Sequence, residues 1–104
     1  MSMAAVALTN ATATEVIAAT AGERAKILRL VLTNKNATAV AVIVLDNATE
    51  VCRFHLAVGI PLVLGDGINP IFPAEKFTAN TAVKLQQSVN QDGTVGYIEW
   101  GFQK

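Results

Sequence analysis

The fold is decided by Ala25-Lys-Ile-Leu-Arg-Leu-Val-Leu-Thr33, together with the apolar runs Ala39–Leu45 and Glu50–Leu56 that follow it. Successive side chains of a β-strand point to opposite faces, and the density of β-branched residues favours strands over helices. The connectors at 34–38 and 46–49 are polar and have the length of hairpin loops. The three runs therefore predict a three-stranded antiparallel meander at the centre of an all-β domain.

The first of these strands has two unlike faces. Period-two alternation places its leucines on one face, which we expect to be the core: Leu28, Leu30 and Leu32. Ile27, Arg29 and Val31 fall on the other face. A charged residue between two apolar neighbours indicates that this second face is only partly wet, since either the arginine stem extends to water or its guanidinium pairs across a subunit boundary.

The last predicted strand, Thr94–Phe102, has the same two-faced character. One face is apolar and aromatic, as expected of the core: Ile98, Trp100 and Phe102. Tyr97 and Glu99 lie on the opposite face. If the core faces of the first and last strands meet, the remaining side chains project from the outside of the sandwich among apolar neighbours. We therefore predict an interface between copies at five residues: Ile27, Arg29, Val31, Tyr97 and Glu99.

Further segments bring the total to about eight short strands: Ala4–Leu8, Thr14–Thr20, Leu62–Leu64 and Val83–Val89. Short strands at regular spacing, separated by turn residues, predict an all-β, antiparallel, jelly-roll-like β-sandwich with little or no helix. We expect residues 1–104 to form a single domain. Three alternatives stand open for Ala4–Leu8, namely a weak strand, a swapped arm or a disordered end, and residues 1–12 as a whole are a candidate flexible or swapped arm.

The composition bears on partners. Eight basic and eight acidic residues give no net charge and no basic stripe, so we expect no nucleic-acid partner. No apolar run reaches the roughly 20 residues of a membrane span, so we expect no membrane partner. Hydrophobic residues make up 52% and charged residues 15%, against about 25% charged in ordinary domains. This balance favours a homo-oligomer, although abundant alanines raise the hydrophobic percentage without adding much area.

The residues show no constellation for catalysis or metal binding. Cys52 and His55 are the only thiol and imidazole, and a spacing of three on a strand puts them on opposite faces. We expect Cys52 to face inward beside Phe54. The aspartates lie in separate turns, where such residues usually cap their own backbone: Asp46, Asp66 and Asp92. The sequence therefore predicts a protein that is not an enzyme and binds no cofactor or metal.

Several stretches resemble one class of protein. Gly22–Thr33, the hairpin through Val44–Glu50, the Gly59–Pro73 loop and the closing Asp92-Gly-Thr-Val-Gly-Tyr97 are similar to small β-sandwich proteins of bacteriophage virions, notably head decoration or cementing proteins. The resemblance implies a trimer on the virion surface, made in the host cytoplasm, whose partner is the major capsid protein or another virion protein. The same patterns fit a tail or fibre module, and no functional residue carries over.

Two functions from different classes follow. The first is a capsid decoration protein that binds and stabilises the head exterior as a homo-oligomer. The second is a carbohydrate- or receptor-binding module of a phage tail, a fibre or a bacterial surface. Sugars stack on exposed Trp and Tyr faces, so the exposure of Trp100 and Tyr97 discriminates between these hypotheses.

Overall fold

The structure is a computed structural model, and it describes residues 2–73, 76–89 and 93–103. These residues contain eight β-strands and no α-helix. In chain order the strands are β1 (Ser2–Leu8), β2 (Thr14–Ile17), β3 (Arg24–Asn34), β4 (Val40–Asp46), β5 (Thr49–Leu56), β6 (Pro61–Leu64), β7 (Val83–Gln87) and β8 (Thr94–Gln103). The prediction of an all-β fold with about eight short strands is confirmed.

The eight strands of the described residues lie in two four-stranded antiparallel sheets. Sheet A has the order β1-β8-β3-β6, and sheet B has the order β2-β7-β4-β5. The pairing is nested along the chain, since β1 pairs with β8, β2 with β7, β3 with β6 and β4 with β5. A chain paired in this way and wrapped into two layers has the jelly-roll-like arrangement that was predicted.

The predicted meander is wrong, because β3 and β4 belong to different sheets. Only β4 and β5 form a hairpin. The connector after β3 crosses from sheet A to sheet B, and the buried Asn34 side chain holds it by donating to the carbonyls of Thr38, at 2.9 Å, and Leu56, at 3.1 Å. Across the same end of the sandwich, the Thr94 hydroxyl donates to Gln87 Oε1 at 2.7 Å.

The core lies between the sheets and is filled from both. Sheet A contributes buried side chains from three strands: Val6, Leu8, Ala25, Ile27, Leu30, Leu32 and Ile98. Sheet B contributes buried side chains from its four strands: Ile17, Val40, Val42, Val44, Leu56, Val83 and Leu85. Trp100 and Phe102 are half-buried and pack against this core, as predicted. Phe72, from the loop after β6, lies between the rings of Phe54 and Phe77, with centroid distances of 6.3 and 6.1 Å.

A β-bulge in β3 changes which residues face the core. Ile27 pairs with Trp100 and Arg29 pairs with Glu99, so Leu28 is an extra residue with no partner on β8. In a regular strand, side chains that are an even number of positions apart share a face. One extra residue reverses the alternation, so two such side chains on either side of it point to opposite faces. Ile27 is only 1% exposed and belongs to the core. Its predicted place on the outer face with Arg29 is therefore wrong.

The loop after β6 closes over this bulge. Gly67 donates its backbone N–H to the Leu28 carbonyl at 3.1 Å, and Ile71 donates to the Ile27 carbonyl at 2.8 Å. A Cβ atom at Gly65 would collide with the Leu28 carbonyl, so a side chain there has no room. Leu28 is thus buried outside the main core cluster rather than within it.

The N-terminal segment is ordered along the edge of sheet A. Residues Ser2–Leu8 pair with β8 over seven positions, from Ser2 opposite Trp100 to Leu8 opposite Thr94. Val6 and Leu8 face the core and are 3% and 1% exposed. Ser2–Leu8 therefore forms the strand that was one of the alternatives for Ala4–Leu8.

Candidate functional site: the outer face of sheet A

The outer face of sheet A carries cross-strand rows of apolar side chains. One row crosses all four strands, with Ala5 opposite Tyr97, Tyr97 opposite Val31 and Val31 opposite Val63. The next row is also uncharged and contains three apolar side chains and one hydroxyl: Ala7, Val95, Thr33 and Pro61. Neither row contains a charge. A sheet face that meets only water normally carries polar side chains, so this face has the composition of a covered surface.

Two of the five exposed large hydrophobic side chains of the described residues lie on strands of sheet A, and the other three lie in the loops before and after β6. Met3 on β1 is 67% exposed and Val63 on β6 is 54% exposed. Val58 and Ile60 lie in the loop before β6, and Ile68 lies in the loop after it, where it is 78% exposed. No exposed large hydrophobic residue among those described lies on β2, β4, β5 or β7. The asymmetry therefore separates the two sides of the sandwich.

The outer face of sheet B is polar by comparison. Glu15 pairs with Lys84 across β2 and β7. On β5, Arg53 donates a hydrogen bond to Glu50 at 2.9 Å, and His55 is exposed. The bond from Arg53 lowers the pKa of the Glu50 carboxyl, although both groups lie in water. Charges of both signs on an exposed sheet are typical of a surface that stays solvated.

Two opposite charges flank the apolar rows at the bulge. Arg29 and Glu99 are register partners on β3 and β8, yet the ion pair found among the described residues is the one between Arg53 and Glu50. The Arg29 Nε atom is buried and has no hydrogen-bond partner among the described residues. The Glu99 carboxylate lies beside the loop, since a Cβ atom at Gly67 would be 3.0 Å from Glu99 Oε2. A buried donor without a hydrogen-bond partner costs free energy in the folded chain.

Four of the five predicted interface residues come together on this face: Arg29, Val31, Tyr97 and Glu99. Each is half-buried within the single chain. Ile27 is not among them, because the bulge turns it into the core. Met3, Val63 and Ile68 also belong to this surface or its border but were not predicted from the sequence. Val63 could have been found, since it alternates with Leu62 and Leu64 on a strand that begins at a proline.

The remaining polar groups serve the fold. Asp66 caps its own turn: its Oδ1 accepts from the N–H groups of Ile68 and Asn69, both at 2.8 Å. The bonds from Asn69 and Ile68 lower the pKa of Asp66 to about 2. An open surface cavity of about 290 Å³ lies beside this turn. The Asp46 carboxylate accepts hydrogen bonds from the backbone N–H and the hydroxyl of Thr78, and Asp92 lies outside the described residues.

Candidate reactive groups do not meet. Cys52 is half-buried on the side of β5 that carries Phe54, whereas His55 is exposed on the opposite side. Cys52 is thus directed inward as predicted but is not fully covered. Among residues 2–73, 76–89 and 93–103, no three His, Cys, Asp or Glu side chains cluster so that they could hold a metal ion.

Comparison with known proteins adds no relative. No family model, curated protein or solved structure matches this chain. Within the described residues, no helix is long and apolar enough to cross a membrane.

Proposed function

We propose that this chain is a non-enzymatic structural protein of a bacteriophage virion, which assembles as a homo-oligomer and binds the head exterior as a decoration protein. The observation that carries the proposal is the apolar outer face of sheet A, flanked by Met3 and Val63. In an assembly such a face can be buried against another protein, whereas in a free chain its apolar side chains remain in contact with water at a cost in free energy. The resemblance of the sequence to head decoration proteins is the reason for proposing a location on the virion, and it favours a trimer.

The energetic argument rests on exposed apolar area. Fully removing a Val, Ile or Met side chain from water contributes about 1.5–3 kcal/mol. Several such side chains lie on or beside this face, and single exposed ones would need no explanation. Contiguity across four strands, from Ala5 to Val63, is what indicates an interaction surface. Part of this favourable free energy is offset by the translational and rotational freedom that the copies lose when they associate.

The charged pair would make the contact selective. Arg29 and Glu99 have opposite signs and no ion pair with each other. A partner surface that places a negative charge beside Arg29 and a positive charge beside Glu99 is favoured over one that brings like charges together. Because one copy carries both signs, a second copy can supply the complementary group.

The carbohydrate alternative requires an aromatic platform. Trp100 faces the core and Tyr97 is half-buried within its apolar row. The exposed large hydrophobic side chains of the described residues include no aromatic ring. Nothing in that part of the chain favours a sugar-stacking surface.

The experiment is to purify phage particles from cells that express this chain and to locate it by immunogold electron microscopy. We expect label over the head, lost when particles are prepared with a Val63→Lys variant. A matched His55→Lys variant on the outer face of sheet B should label like the parent. Absence of the chain from purified particles would refute the virion role, and label confined to tails would refute decoration of the head.

A further inference from the structure

The two sheets have four edge strands, and three of them carry features that block pairing with another chain. β6 has four residues and begins at Pro61, which lacks an N–H donor. β2 also has four residues, with a bulge between Glu15 and Ile17. β5 is longer, but its pairing is bulged beside Val44 and its exposed face carries Glu50 and Arg53. Short length, proline, bulges and charge are the usual protections of a sheet edge.

β1 has none of these protections. Its sequence, Ser-Met-Ala-Ala-Val-Ala-Leu over Ser2–Leu8, has seven residues, no charge and no proline. Its register with β8 is continuous, without a bulge. About half of its residues direct N–H and C=O groups away from β8, because β1 has one neighbour in sheet A. An edge of this length with no guard is a template for another strand.

We propose that β1 pairs antiparallel with β1 of a second copy of this chain, so that the two A sheets join into one eight-stranded sheet. Full overlap of the two strands places the two-fold axis at Ala5, the central residue of Ser2–Leu8. Ala5 then lies opposite Ala5 of the second copy, Met3 lies opposite Ala7, and Ala4 lies opposite Val6.

The chemistry of β1 fits a second copy as the occupant. A two-fold axis brings each residue near its own equivalent, so any charge on the strand would meet a like charge. β1 has no charge, and the residue at the axis is alanine, which offers no steric obstacle. The pairing also continues the apolar row of Ala5, Tyr97, Val31 and Val63 into the second copy.

This contact goes beyond the virion role and is geometrically separate from contacts across the outer face. Edge pairing alone gives dimers. Combined with a trimer formed through the outer face, it would link each trimer to others, because a trimer has three such edges.

Disulfide trapping tests the pairing. Ala5→Cys is made in a Cys52→Ser background, and the matched control is Ala18→Cys in the same background, at an exposed alanine after β2. Directly opposed residues of antiparallel strands have Cα atoms about 4.5–5.5 Å apart, within the range that a disulfide spans. We expect the Ala5→Cys protein to form a covalent dimer at least ten times faster than the control in a mild redox buffer. Equal rates would overturn the proposal.

A third protein separates the edge from the face. Val63→Lys is added to the Ala5→Cys protein, because Val63 lies on β6 at the opposite edge of sheet A. We expect cross-linking to persist, even if assembly through the outer face is lost. Loss of the cross-link would show that the face, and not the edge, brings the copies together. A parent that self-associates without Ala5→Cys cross-linking would refute edge pairing and leave the proposed function standing.

Discussion

Replacing Ile27 and Val31 by alanine, one at a time, tests the β3 bulge. The two residues are four positions apart, so in a regular strand they would share a face and respond alike. In the structure Ile27 is 1% exposed in the core, whereas Val31 is half-buried on the outer face. Ile→Ala in a core costs about 2–5 kcal/mol. Val31→Ala loses two partly wet methyl groups, which amounts to about 1 kcal/mol or less at roughly 0.8 kcal/mol per buried carbon.

Urea denaturation of the two variants at a concentration where the parent is monomeric measures the difference. With a slope near 1–2 kcal/mol per molar urea for a domain of this size, Ile27→Ala should lower the midpoint by about 1–5 M. Val31→Ala should lower it by about 1 M or less. Both variants should keep the slope and the β-type circular dichroism of the parent. Equal losses, or a larger loss for Val31→Ala, would refute the bulge and restore a regular strand.

Three further predictions concern fold stability. The pKa of Asp66 is about 2 in the folded chain, below its ordinary 3.8. Its charge therefore stabilises the fold above pH 4, and that contribution is lost as the pH falls through about 2. The urea midpoint of Asp66→Asn should therefore change less between pH 4 and pH 2 than the midpoint of the parent. Gly96→Ala should destabilise by about 1–3 kcal/mol in thermal melts because its Cβ would collide with a β3 carbonyl, whereas Gly101→Ala meets only a flexible lysine and should cost less. Thr94→Val removes the buried 2.7 Å bond to Gln87 and should cost about 1–3 kcal/mol by urea titration, against no change if that bond is absent.

Period-two patterning predicted the strands because burial on one face repeats every second residue. It located Thr94–Gln103 within a few residues and assigned Trp100 and Phe102 to the core side correctly. It could not say which strands share a sheet. Both β3 and β4 present apolar faces to the same core, and this pattern is the same whether the strands are neighbours or lie opposite each other.

Only part of the candidate site was predicted, because local alternation again does not show contacts between distant segments. Tyr97 and Glu99 follow a regular strand, so alternation places them correctly on the outer face. Ile27 was misplaced because a bulge has no signature in an unbroken run of apolar residues. The bulge is stabilised by the loop after β6, through the N–H groups of Gly67 and Ile71. A contact between segments about forty positions apart cannot be read from local spacing.

Self-association through the outer face of sheet A is tested most directly by sedimentation equilibrium on three proteins at high micromolar concentration. These are the parent, Val63→Lys on the edge strand β6, and His55→Lys on the edge strand β5 of the other sheet. The parent and His55→Lys should have the same mass, larger than one chain, with a trimer as the expected unit. Val63→Lys should shift toward smaller species. The charged lysine would lose its hydration in an apolar contact that offers it no partner. A parent that sediments as a single chain, or two variants that behave alike, would contradict the assignment of this face.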